Sequence, residues 1–479
     1  MHSDPREWNA LAWRYLQAGE SELALDAAQR AHEASRNNLE YLNTLGVAYG
    51  EAGDLERAES SFRKVLKRNP VFLDALINLG KSLEKQERIA EAIPLYERAL
   101  GLDETFPKLA TSLARLYLQG GNATRARALL ERFAPHIDPQ DIALMLAQCD
   151  YELAGIGAAI ERLQSSLAQH PDWLVARNAL AHACLADGRW RSGWRHYLSR
   201  HALYNTKASE PLPARLAGER ILLRGEQGLG DVLFFLRFVP LLKARGAKPS
   251  LICAKKLHGM LGVGLEALMD SEAPGFERSI WLGDLPALLE CDETPAAWML
   301  RASDDARRAA RERLAALGQG PYLAVTWRAG TDTARGREFG AERHSLTKAV
   351  PPAELAAALR GWKGTIVLLQ RGARAGEVET FTAALGRACH DLSALGDDLP
   401  MLLAVLAELE EYVTVSNTNV HLLAGLGRAA RVLIPFPAEW RWMRREGRSP
   451  WFPEFPVYRQ SQSRDWRTAL HDLQRDLGP

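Results

Sequence analysis

Cysteine is scarce in this chain: Cys149, Cys184, Cys253, Cys291 and Cys389 are the only five in 479 residues. They are scattered and odd in number. That excludes a disulfide framework and a zinc-type ligand spacing, and favours a reducing compartment. Long apolar runs are also missing. No stretch reaches the roughly 20 apolar residues of a membrane-spanning helix. The opening Met1-His-Ser-Asp-Pro-Arg6 has no apolar core of the kind a secretory signal needs. A surplus of one charge is missing as well. Sixty Lys and Arg face 59 Asp and Glu, a net charge of +1, so bulk attraction to nucleic acid or to a membrane surface is not expected. Together these absences predict a cytoplasmic protein of ordinary globular composition, with length for about three domains.

What the sequence does have is a period. Leu42, Leu45, Gly46, Tyr49, Ala58 and Phe62 recur thirty-four residues later as Leu76, Leu79, Gly80, Leu83, Ala92 and Tyr96. A further step gives Ala110, Leu113, Ala114, Tyr117, Ala126 and Leu130, and a step back gives Trp8, Leu11, Ala12, Tyr15, Ala24 and Ala28. Two weaker copies run to Tyr197. Small residues stand where two helices would touch, and large ones alongside. This resembles the tetratricopeptide repeat (TPR), a helical hairpin that buries its apolar face only by stacking on its neighbours. An α solenoid over residues 1–205 is the expectation. Its concave face suits a protein or peptide partner; alternatively the solenoid braces the rest of the chain or joins it into a homodimer. Asn38, Asn43, Asn69 and Asn78 are candidates for amide contacts to a peptide, or equally turn and surface residues. Trp190 and Trp194, four apart on one helix face, read as packing anchors.

The second half alternates short apolar runs with helical stretches. Runs begin at Ile221, Pro249, Ser279, Pro321, Thr365, Tyr412 and Arg431, which argues for parallel sheets with helices on both sides. The expected division is 206–320 and 321–479, two Rossmann-like units, with ligands at the carboxyl ends of the strands. The first run ends in Gly225-Glu226-Gln227-Gly228-Leu229-Gly230-Asp231 and opens onto a helix. This turn lacks the Gly-x-Gly-x-x-Gly spacing of a dinucleotide loop.

That turn, following a tetratricopeptide array, resembles those of bacterial repeat-fused glycosyltransferases. So do Trp327-Arg-Ala-Gly330, Ser416-Asn-Thr-Asn-Val-His421, Pro437-Ala-Glu-Trp-Arg-Trp442 and Ser449-Pro-Trp451. The chain is similar to the heptosyltransferase group (glycosyltransferase family 9), and more loosely to O-GlcNAc transferase. The resemblance implies a GT-B fold, a nucleotide-sugar donor, no metal and no cofactor, and a hydroxyl acceptor. It further implies that the final helix, from Arg464, crosses back to the first α/β unit. Flagellin-like surface proteins are the implied acceptors. A lipopolysaccharide-type acceptor and a non-catalytic TPR adaptor with a degenerate GT-B unit are the rival readings.

Candidate site residues follow. Asp231 is the candidate base for the acceptor hydroxyl, or a helix N-cap. Glu226, Gln227, Gly228 and Gly230 share its turn on the acceptor side. On the donor side, Ser416, Asn417, Thr418 and Asn419 open a helix whose free N–H groups suit a diphosphate. Asn417 departs from the family's acid and Asn419 from its small residue. His421 matches the family histidine. Lys348 is the candidate cation for the leaving diphosphate, with Arg328 in the same role. Gln370 ends a strand where base or ribose contacts are expected. The polar loop Gly330–Arg343 reads as a cover over the donor. The tryptophans of 440–451 could stack nucleobases, but the prolines around them favour packing at the cleft.

Overall fold

The computed structural model describes residues 4–478 except 87, 104–105, 226–227, 262–263, 330–347, 437 and 443–447. The chain divides into two compact units, Met1–Arg162 and Leu163–Pro479.

The first unit is built from helices α1 (Pro5–Ala18), α2 (Ser21–Ala34), α3 (Leu39–Glu51), α4 (Leu55–Arg68), α5 (Leu73–Lys85), α6 (Ile89–Leu102), α7 (Pro107–Gln119), α8 (Ala123–Phe133) and α9 (Pro139–Ala154). Helix α10 (Ile156–Gln169) runs across the boundary. The starts are set locally. Asp4, Asn38, Asp54, Asn122 and Asp138 each accept a hydrogen bond from a first-turn backbone N–H. Consecutive helices pair as hairpins, and the thirty-four-residue period is the packing rule. Ala24, Ala58, Ala92 and Ala126 are all fully buried. Gly46 and Gly80 have no side chain because the next helix fills the space. A Cβ on Gly46 would lie 2.6 Å from the Phe62 ring, and one on Gly80 2.5 Å from Tyr96. This unit is a TPR solenoid. Its asparagines serve the scaffold: Asn38 caps α3, the Asn69 side chain accepts from Val71 N–H, and Asn78 donates to buried Asn43.

The second unit opens with helices α11 (Leu174–Asp187), α12 (Trp190–Tyr197) and α13 (Arg200–Leu203). Trp194 is buried among Phe235, Phe238, Trp440 and Trp451, and Trp190 meets Trp451, as expected of packing anchors. Asp284, with no exposed surface, is bonded to Arg200, His201 and Ser209 N–H. No motif in the sequence points to that buried ionic cluster, whose members lie up to 84 positions apart.

Two parallel sheets follow. The first holds β1 (Arg220–Arg224), β2 (Lys248–Ile252), β3 (Leu268–Met269) and β4 (Arg278–Trp281) in the order β3-β2-β1-β4. The second holds β5 (Tyr322–Thr326), β6 (Thr365–Leu368), β7 (His390–Asp391), β8 (Glu411–Val415), β9 (Arg431–Ile434) and β10 (Val457–Arg459) in the order β10-β9-β8-β5-β6-β7. All pairings between these strands are parallel. The helices between them are α14 (Leu229–Phe235), α15 (Val239–Ala244), α16 (Leu285–Leu288), α17 (Asp304–Leu317), α18 (Pro352–Ala358), α19 (Glu377–Leu385), α20 (Leu399–Glu408) and α21 (Thr418–Gly425), with α22 (Arg467–Leu477) last.

Strands β3, β7 and β10 were not foreseen, being only two or three residues long and so without a readable period. Helix α22 corrects an expectation. It packs on α18 and β10, and its Trp466, Ala469, Leu470 and Leu473 join the core formed by Leu323, Leu355 and Val413. Its apolar face is thus spent on the second sheet rather than crossing to the first.

Candidate functional site

Both sheets reverse their winding beside their first strand, between β1 and β4 and between β5 and β8. In open parallel sheets such a reversal leaves a crevice at the carboxyl ends of the strands. The turn after β1 and the turn after β8 come from these two reversals, and they meet. A Cβ on Gly230 would sit 3.2 Å from the His421 ring and 3.7 Å from Thr418 Oγ1. Gly230 is therefore what lets α14 approach α21.

On the first side, Gly225 lies against β2. Its N–H donates to Ile252 O at 2.9 Å, where a side chain would collide. Gly228 is the N-cap of α14, and Asp231 sits in the first turn. The N-cap role expected of Asp231 is therefore filled by Gly228. A Cβ there would lie 2.9 Å from Asp231 Oδ2, so the glycine also leaves room for the carboxylate. Glu226 and Gln227 lie outside the described residues.

On the second side, the loop after β9 supplies the charges. Arg441 Nη2 donates to Asp231 Oδ1 at 2.6 Å, and its guanidinium lies over the Phe234 and Trp440 rings. Glu439 receives three donors: Lys348 Nζ, Ser416 Oγ at 2.5 Å and the Trp442 indole N–H at 3.0 Å. Burial alone would raise the Glu439 pKa. Lys348 first, then Arg441 and the Ser416 hydroxyl, bring it down to about 2. His421 lies between Phe234 and Phe452, with Nδ1 buried and unpartnered among the described residues. Burial, then Arg441 and Arg237, hold its pKa well below the usual histidine value, so the imidazole is neutral.

Arg237 is a further cation of this core, almost wholly buried. Among the described residues it donates only to the carbonyls of Phe234 and Trp451, and it stacks on Phe234, Trp451 and Phe452. Burial and the neighbouring Arg441 lower its pKa to about 9. Among the described residues, three cations, Arg237, Arg441 and Lys348, thus face two carboxylates, Asp231 and Glu439. Such an imbalance in a half-dry cleft favours an added anion.

Four candidates are used elsewhere. Gln370 Oε1 accepts from Trp327 and Arg328 N–H, and its Nε2 donates to Arg328 and Arg371 carbonyls. All four of its bonding positions are spent on backbone, so it clasps the end of β5 and has none left for a nucleotide. The Arg328 side chain is held by Glu377 and Gly372 O. Asn417 caps α21 through Asn419 N–H and donates to Thr414. Asn419 donates to Tyr412, whose hydroxyl meets Thr326. These asparagines pin the start of the helix. The loop Gly330–Arg343 lies outside the described residues.

Glu439 and Arg441 were missed as site residues, although they stand in a stretch the sequence singled out. The available signal was their alternation with tryptophans. A charge on each side of a large buried ring in Glu439-Trp440-Arg441-Trp442 can only be placed by pairing. Among the described residues no group of three His, Cys, Asp or Glu side chains is arranged to hold a metal ion. No helix among them is long and apolar enough to cross a membrane.

Comparison with known proteins bears mainly on the first unit. Two tetratricopeptide-repeat family models match, at residues 43–110 and 83–149. Tetratricopeptide repeat protein 14 of Mus musculus is 30% identical over 110 residues, 22% of this chain and 14% of its own length. The chain thus spans about a seventh of that relative. Protein FlbA of Caulobacter vibrioides is 25% identical over 521 aligned positions, covering 97% of this chain and 84% of FlbA. Among solved structures, a tetratricopeptide repeat protein from Parabacteroides merdae aligns at 13% identity with a TM-score of 0.38, over 50% of this chain and 87% of that one.

Proposed function

We propose that the protein is a glycosyltransferase of GT-B layout that moves a sugar from a nucleotide-sugar donor to a hydroxyl on a protein. The observation that carries this reading is the meeting of the two switch-point turns at a cation-rich cluster. On this reading Lys348 and Arg441 exchange their carboxylate partners for the donor diphosphate, beside the N-terminus of α21. Exchange with Arg441 frees Asp231. Its carboxylate then takes the acceptor hydroxyl proton while the hydroxyl oxygen attacks the anomeric carbon. The bond from that carbon to the diphosphate oxygen breaks, and the diphosphate leaves with the electron pair, stabilised by the cations. Neutral His421 offers a hydrogen bond to the donor. The repeats hold the acceptor protein.

One observation favours a second reading, a TPR adaptor without catalysis. Asp231 and Lys348 are both engaged in ion pairs, and Arg328, Gln370 and Asn417 are spent on the scaffold. Incubating the full chain with a panel of UDP-, GDP-, dTDP- and CMP-sugars tests the choice. Donor binding with turnover supports the transferase. A chain that binds and turns over none of them is the adaptor.

A further inference from the structure

The last repeat hairpin carries side chains toward the charged cluster. Helix α12 is fixed there by Trp194, whose ring contacts Phe235 and Phe238 at 6.0 and 5.7 Å and Trp440 and Trp451 both at 5.7 Å. Trp440 is the residue before Arg441 and lies under its guanidinium, 4.4 Å from ring centroid to carbon. Tyr197, one turn on from Trp194, tilts against Phe235 at 6.0 Å, and Phe235 follows the Phe234 ring on which Arg441 also rests. His182, on the facing helix α11, meets the Tyr197 ring at 6.0 Å. Glu439 and Arg441 both act on the His182 imidazole through their charge. Half-buried His182 makes no hydrogen bond among the described residues. Packing explains Trp194, but it gives no reason for an imidazole at position 182.

We propose that the α11–α12 hairpin forms the acceptor-side wall of the site, with His182 and Tyr197 receiving a hydroxyl-bearing segment of polypeptide. This rests on the transferase reading and goes beyond it by placing the acceptor on two named residues rather than on the solenoid groove at large. The chemistry fits. A neutral imidazole accepts a hydrogen bond from a serine or threonine hydroxyl. A hydroxyl held there lies within the reach of the Arg441 charge, and Arg441 is the group that holds Asp231. A charged acceptor finds a less suitable partner, because an uncharged ring offers no counter-ion.

The test uses the full chain and a mixed pool of serine- and threonine-containing peptides as the probe. In the wild type and in His182→Ala, His182→Gln and Tyr197→Phe, two rates are measured with the accepted nucleotide sugar: transfer to peptide, and hydrolysis by water without peptide. Retained melting midpoints show that the variants fold. The expectation for His182→Ala is a rise of tenfold or more in peptide KM, with donor hydrolysis within twofold of wild type. His182→Gln, which still accepts a hydrogen bond, recovers part of that loss. Equal loss of transfer and hydrolysis, or no loss of transfer, overturns the proposal. A readout free of activity accompanies it. In histidine-labelled protein the ring resonance absent from His182→Gln should shift on adding peptide but not nucleotide sugar. If no donor is ever turned over, the transferase reading fails. A peptide-dependent shift then still supports the wall, and the absence of one overturns it.

Discussion

Arg441 Nη2 donates to Asp231 Oδ1 at 2.6 Å, and this one bond joins the loop after the second sheet's β9 to the helix that follows the first sheet's β1. The pair is asymmetric. The Asp231 side chain is 44% exposed and that of Arg441 11%. Removing the arginine leaves a carboxylate that water can reach, whereas removing the aspartate leaves a largely buried cation. Asp231→Ala should therefore destabilise the second unit more than Arg441→Met, by about 2–3 against about 1 kcal/mol. Urea unfolding of both variants measures it. Equal costs, or the reverse order, would show that the pair is not organised in this way.

Gln370 should behave as a scaffold residue. Gln370→Ala strands two backbone N–H groups and two carbonyls, at a cost of about 2–4 kcal/mol. Donor affinity of the molecules still folded should stay within twofold. Weakened donor binding at unchanged stability would return Gln370 to the nucleotide site.

Acid should weaken the second unit in two steps. Burial, then Arg441, lowers the His182 pKa from its ordinary 6.5 to about 4. Between those values the unfolded chain binds a proton that the folded one refuses, so stability falls as pH drops from about 6.5 to about 4. Glu439, held at about 2 against an ordinary 4.5, adds stability present above pH 4.5 and lost as pH falls toward 2. His421, also held well below its ordinary value, adds to the first step, so His182→Gln should make that step shallower without abolishing it, and Glu439→Gln should do the same to the second. Melting midpoints across pH 2–7 read both, and an unchanged profile in either variant would contradict the corresponding assignment.

Gly80→Ala probes the repeat. The added methyl would press on the Tyr96 ring, which is 1% exposed and cannot yield freely. A loss of about 1–3 kcal/mol is expected. Because repeats contact mainly their neighbours, faster hydrogen exchange should stay within residues 1–162. Exchange spreading evenly through the chain would argue against a separable solenoid.

These residues also show what could be read from sequence. The solenoid was legible because Gly46, Ala58 and Phe62 each mark one packing position, and the period repeats them. The main strands were legible because buried parallel strands are uniform apolar runs. Asp231, Lys348, Ser416, Thr418 and His421 stand out in the sequence as candidates through their turns, and the fold brings these side chains near one another. Gln370, Arg328 and Asn417 misled because residue type and strand-end position do not reveal whether backbone has already claimed the side chain. Glu439 and Arg441 escaped because their partners lie far away in sequence: Asp231 is 210 residues from Arg441, and Lys348 is 91 from Glu439. His182 carried no local signal at all.

The proposed function requires that Asp231 and its neighbours do chemistry on a nucleotide sugar. The most direct measurement is single-turnover donor consumption by the full chain and by Asp231→Asn, with the peptide pool present and across the nucleotide-sugar panel. At least one donor should be consumed. Asp231→Asn should slow the step by about 10²–10⁴-fold, the usual worth of a positioned base, while donor binding stays near the wild-type value. Consumption of no donor, or an undiminished rate in Asp231→Asn, would contradict the proposed function.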